Sequence, residues 1–198
     1  MAEWEENLPP LIRERLARIG KLTKEERERI LDSEKADSLL AEFYRGEISP
    51  EELWQRLKQE NRSSLLREVQ LKLLESLHFK ISSAELKKRR DAILAVESLK
   101  QERNIPAIEQ SLKLLEDLPK RYQAEIERTY KSVRAEVERN PQLRVKQIQQ
   151  GQNTVIIQLS VDEAVKQLPE WKNFVAEREK KYGEEFSRIL EKLRKELM

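Results

Sequence analysis

Few residues in this chain are spaced for chemistry. Glu75 and His78 stand three apart, the spacing at which one helical face can present a carboxylate and an imidazole to a metal ion. A helical metal site of that kind needs a second such pair, and His78 is the only histidine. With no cysteine, the chain has no thiol nucleophile, no disulfide and no cysteine–metal site. There is also no glycine-rich phosphate loop and no GxSxG turn to expose a nucleophilic serine. The expectation is no catalytic residue, no cofactor and no metal, in a protein that is not an enzyme.

The basic residues suggest a different chemistry, phosphate contact. Lys87, Lys88, Arg89 and Arg90 form the densest cationic run, but on a helix four consecutive residues spread around a full turn, and Glu85 and Asp91 flank them. Arg144 and Lys146, beside Gln147, Gln149, Gln150 and Gln152, could reach phosphates or base edges from a β-ribbon. That ribbon lacks the aromatic rings on which single-stranded bases stack. Across the chain 39 basic residues balance 37 acidic ones, without the excess of a nucleic-acid binder. Nucleic-acid association is therefore the alternative expectation, carried by those six cations.

Charged residues make up 38% of the sequence, as do hydrophobic ones, against about 25% charged in an ordinary domain. Apolar residues fall in narrow stripes with charge around them, which favours long helices sharing coiled-coil-like seams over a thick core. The first ten residues are acidic and have no apolar stretch, unlike a signal peptide. No run approaches the ~20 apolar residues of a membrane span. The expectation is a cytoplasmic protein with neither a membrane nor a small-molecule partner.

The elements that must position any site are marked by four capping boxes: Thr23-x-x-Glu26, Ser49-x-x-Glu52, Ser82-x-x-Glu85 and Ser160-x-x-Glu163. In each, the hydroxyl can accept from a free N–H of the first turn while the glutamate reaches back to the cap's own N–H. Ile48 with Leu53 and Ile81 with Leu86 add hydrophobic staples. Pro9 and Pro10 open a first helix carrying Ile12, Leu16 and Ile19, with Gly20 at its end. The second runs from Thr23 to Gly46, with a break expected near Ser33 and Ile30, Leu31, Leu39, Leu40 and Phe43 inward. Residues 61–64 interrupt the stretch that carries Trp54, Leu57, Leu66, Val69, Leu73 and Leu77. Beyond Ser82, Leu86, Ile93, Val96 and Leu99 face inward. Asn104 caps a longer pattern in which Leu118-Pro119 predicts a kink or a fresh start. Tyr122, Ile126, Tyr130, Val133 and Val137 continue its seam. Leu168-Pro169 interrupts the last helix, which runs on through Trp171, Val175, Tyr182, Phe186, Ile189, Leu193 and Leu197.

Between the two long patterns the period changes from 3.6 to 2, which predicts a β-hairpin over 143–159. A loop of Gly151 to Asn153 would set Val145 opposite Leu159 and Ile148 opposite Ile156. Val155, Ile156 and Ile157 run consecutively, so both faces carry apolar groups, and an isolated hairpin is marginal in water. A cover is needed, from the chain's own helices or from another strand. The fold class is therefore mainly α: a multi-helix bundle with a long antiparallel helical hairpin (about 104–139 and 161–197) tipped by one β-hairpin. The division falls between a helical region, 1–102, and a helix–β-hairpin–helix region, 103–198. From Asn104 to Met198 this plan resembles the subunit of prefoldin chaperones, whose hairpins assemble into a barrel. The resemblance implies a chaperone or assembly factor. The leading expectation is a scaffold that binds protein, in the first place its own copies, through the helical seams or the hairpin. Its candidate contacts are Val145, Ile148, Val155, Ile156, Ile157 and Trp171.

Overall fold

The computed structural model describes residues 23–150 and 153–197, with the side chains of 148–155 excepted. The helix expected at Pro9–Ile19, with Gly20 after it, lies outside the described residues. The elements are α1 (Lys24–Arg45), α2 (Pro50–Glu60), α3 (Ser63–Glu75), α4 (Ser83–Glu97), α5 (Ile105–Arg139), a 3-10 turn (Pro141–Arg144), β1 (Val145–Gln150), β2 (Asn153–Gln158), α6 (Val161–Gln167) and α7 (Pro169–Leu197). This is a mainly α fold with one two-stranded antiparallel hairpin, as the hydrophobic periods require. Among the described residues no helix is long and apolar enough to cross a membrane.

The caps form where the sequence sets them. The boxes at Thr23, Ser49 and Ser160 close in both directions, and the Ser82 hydroxyl accepts from the Glu85 N–H at 3.2 Å. Gly46, at φ 79°, ends α1 in the left-handed conformation that glycine adopts without a Cβ penalty. Asn61 ends α2 at φ 47°, so the stretch is interrupted, but only at Asn61 and Arg62, since Ser63 and Ser64 already open α3.

The chain forms two compact units. Among the described residues, the first holds 23–77, 87–106 and 197. In it α1 packs along α3. Leu39, Leu40, Phe43, Leu53, Leu57, Leu73 and Ile93 are all buried. Two expectations for α1 need correction. The helix does not break near Ser33, whose hydroxyl donates to Glu68 of α3 at 3.2 Å, so the serine ties two helices instead of ending one. Ile30 and Leu31 are 45% and 58% exposed, while Asp32 and Ala36 take the inward positions. Burying Asp32 is tolerable because the Ser64 hydroxyl donates to it and Arg62 forms an ion pair with it at 2.7 Å. Ile30 lines an open groove between α1 and α3.

The second unit, 78–86 and 107–196, is built on α5 and α7. Their side-chain pairs rise along one helix as they descend the other: Ser111 with Glu196, Arg121 with Glu185, Glu125 with Tyr182 and Tyr130 with Trp171. That order makes the pair antiparallel. Phe79 joins its seam, with ring centres 5.3 Å from Tyr122, 6.0 Å from Phe186 and 6.4 Å from Tyr182. α5 runs unbroken through Pro119, so no fresh start occurs there. Proline inside a helix costs ~3 kcal/mol. Leu112, Leu115 and Leu118 are fully buried around it, and packing of that stripe outweighs the local penalty. At Pro169 the chain does restart, because Leu168 is held at ψ 127° and closes α6.

Candidate interaction surface

The hairpin begins where helical capping ends. Asn140 and Pro141 stop α5, a single 3-10 turn follows, and the Leu159 N–H donates to the Arg144 carbonyl at 2.7 Å to start the ladder. From there Val145 pairs with Gln158, Lys146 with Ile157, Gln147 with Ile156, Ile148 with Val155, and Gln150 with Asn153. The expected register is off by one, because the ladder closes at Gln150–Asn153 and leaves two residues between the strands instead of three. A one-residue slip exchanges the faces of one strand relative to the other. Val145 therefore shares its face with Ile156, Gln147 and Gln158, and Lys146 shares the opposite face with Ile157.

The two faces differ in cover. Lys146 reaches α6, where its ammonium donates to the Gln167 side chain at 2.8 Å, and Ile157 is half-buried. The Arg144 guanidinium donates to the Leu159 carbonyl at 3.0 Å and ties the base of the hairpin. Below lies a small cluster of Val137, Ala164 and Val165, with Tyr130, Leu159, Val161 and Trp171 packed against it. On the other face Val145 is 49% and Ile156 67% exposed, the latter more than any other large hydrophobic residue described. Ile148 and Val155 are register partners in the ladder. Trp171 is not part of the open face. Its ring meets Tyr130 edge-on at 5.4 Å and stacks on Phe174 at 5.8 Å, within the seam of α5 and α7.

The sequence itself carries a signal for this surface. From Gln147 to Val161 there is no charged residue, in a chain that is 38% charged elsewhere and here combined. Sheet edges exposed to water ordinarily carry lysine, proline or other charge to prevent pairing, and β2 has none of these.

The basic run is used differently. Lys87 is exposed. The Lys88 ammonium donates to the Phe43 carbonyl at 2.7 Å, in the last turn of α1, and sits 4.6 Å from that residue's ring centre. Arg89 donates to the Ser76 carbonyl at the end of α3 and lies 5.0 Å from the Tyr44 ring centre. Arg90 is half-buried. Lys88 and Arg89 thus meet the negative ends of two helix dipoles, a favourable placement for a cation.

Glu75 and His78 do not share a helical face, because α3 ends at Glu75 and His78 lies past its cap, Ser76. Both are exposed. Among the described residues no group of three His, Asp or Glu side chains could hold a metal ion.

Fold and surface together define a helical protein that carries a β-hairpin, with one face free of charge, at the turn of an antiparallel helix pair. The chain belongs to a family of unknown function, DUF6657, whose model matches residues 51–198, from α2 through the hairpin to α7. No curated protein and no solved structure matches it.

Proposed function

We propose that the chain is a non-enzymatic scaffold that binds protein, its own copies first, through the β-hairpin. One observation carries this reading. The hairpin turns its lysine-bearing face to α6 and leaves Val145 and Ile156 in water on a face without charge. A two-stranded sheet is marginal alone, and strand addition from outside supplies edge hydrogen bonds and sets further side chains beside the exposed ones. Light scattering of the full chain is the test. A defined dimer or larger assembly is expected, with Ile156→Lys returning it to monomer at unchanged helical content. A wild-type chain that stays monomeric at every workable concentration overturns the reading.

A second reading draws on the same plan. A helix pair tipped by a β-hairpin is the arrangement of prefoldin subunits, and it supports a chaperone or assembly role for this chain. Its measurable consequence is suppression of aggregation of an unfolded client by the assembled protein and not by Ile156→Lys.

A further inference from the structure

We propose that the outer edge of β2 is the edge that pairs, and that two copies join across it as a four-stranded antiparallel sheet with its two-fold axis beside Ile156. This rests on the self-association reading above and specifies its geometry. The argument starts from ladder parity. The Leu159 N–H donates to the Arg144 carbonyl, which makes 144 and 159 a hydrogen-bonded pair. Hydrogen-bonded pairs alternate along an antiparallel ladder. With the register observed, 146–157, 148–155 and 150–153 are then the bonded pairs. The N–H and C=O groups of Thr154, Ile156 and Gln158 therefore point away from β1, along an edge that no strand among the described residues pairs. Those of Val145, Gln147 and Gln149 line the other edge.

The two edges are not equivalent. β1 carries Lys146, and a 3-10 turn leads into it. β2 reads Asn-Thr-Val-Ile-Ile-Gln, with four consecutive β-branched residues and no charge. Such a strand is a template for pairing. Its partner must present an equally uncharged edge of similar length and twist, because any charge it brought would meet no opposite charge. A second copy of β2 meets those terms. Antiparallel self-pairing about Ile156 sets Ile156 against its own copy and Gln158 against Thr154. The pair is isologous, so it closes at two chains. It also brings together the two most exposed isoleucines, whose 67% exposure in the single chain is otherwise unexplained.

The test uses the full chain and its lack of cysteine. Amide exchange on the unsubstituted protein is measured at Thr154, Ile156 and Gln158, alongside solution mass. Slow exchange at these three that quickens on dilution is the expected result. Ile156→Cys should form an intermolecular disulfide under mild oxidation, since bonded pairs bring Cα atoms to about 5.5 Å, within disulfide reach. Gln147→Cys, at the matching place on β1, should not. An assembled protein in which the β2 amides exchange freely, or in which Gln147→Cys cross-links instead, overturns the β2 edge and leaves self-association standing. A monomeric protein with free β2 amides overturns both. If Ile156→Cys itself prevents assembly, exchange on the unsubstituted chain decides.

Discussion

The Lys88 ammonium bonds the Phe43 carbonyl at 2.7 Å while lying 4.6 Å from the centre of the Phe43 ring, so one cation serves a helix terminus and an aromatic face at once. Removing it leaves a part-buried carbonyl at the end of α1 without that donor. Lys88→Ala should lower unfolding stability by about 1–2 kcal/mol. Lys87→Ala, one position away and exposed, should change it by less than about 0.5 kcal/mol. Urea unfolding of the two variants measures the difference. Equal effects would mean that the run acts as a charge cloud and not through this contact.

Glu97 gives the first unit a dependence on acid. Burial alone would raise its pKa. The Asn104 N–H and the Gln70 amide, each at 2.9 Å, with the Lys100 ammonium at 3.0 Å, outweigh burial and hold the carboxyl below its ordinary 4.5. A depressed native pKa contributes stability above the unfolded value and loses it as pH falls through the native one. Wild type should therefore weaken from about pH 4.5 downward. Glu97→Gln should cost about 2 kcal/mol at neutral pH, with the gap closing on acidification. Denaturant midpoints across pH 3–7 test this, and a gap that does not vary with pH would refute it.

Two glycines should answer the same substitution with opposite sign. Gly46 sits at φ 79° and Gly183 lies inside α7, and a methyl added at either would touch nothing within 4 Å. Packing is thus equal and only backbone conformation remains. Gly46→Ala should cost about 1 kcal/mol and Gly183→Ala should add about 0.5–1 kcal/mol. Thermal unfolding of both variants checks the pair of signs.

Tyr182 is buried against Tyr122 and Phe79, and its hydroxyl donates to Glu125 at 2.9 Å. Tyr182→Phe keeps the rings and removes one bond, for a loss of about 1 kcal/mol. Glu125→Ala removes the acceptor of Tyr182 and the ion-pair partner of Arg178 together, and should cost more. If the two variants are equal, Arg178 contributes nothing measurable through Glu125.

Much of the fold is legible in the sequence because its signals are local. A capping box is complete within four residues, and Leu168-Pro169 ends a helix through its own sterics. What fails to read is set by distant partners. Ser33 looks like a breaker until Glu68 is placed beside it. Leu31 looks like a core residue by spacing alone, and Pro119 looks like an end until the buried leucines around it are counted. The surface is half legible. The alternation of β1 and β2 announces a hairpin, yet its register turns on one loop residue that composition does not specify. The roles of Lys88 and Arg89 are invisible in one dimension, since nothing in the sequence says that two other helices finish beside them.

The order of contacts along α5 and α7 has a mechanical meaning. Arg121 lies by Glu185, and Glu125 by Tyr182 and Arg178. A slide of one helical turn one way would bring Arg121 to Lys181, and a slide the other way would bring Glu125 to Glu185. Each step would trade an observed ion pair or hydrogen bond for a like-charge contact, and the aromatic rings of Phe79, Tyr122 and Tyr182 would have to part as well. The side chains of the seam thus favour the observed register of the two helices over its one-turn neighbours, as the teeth of a ratchet favour one notch.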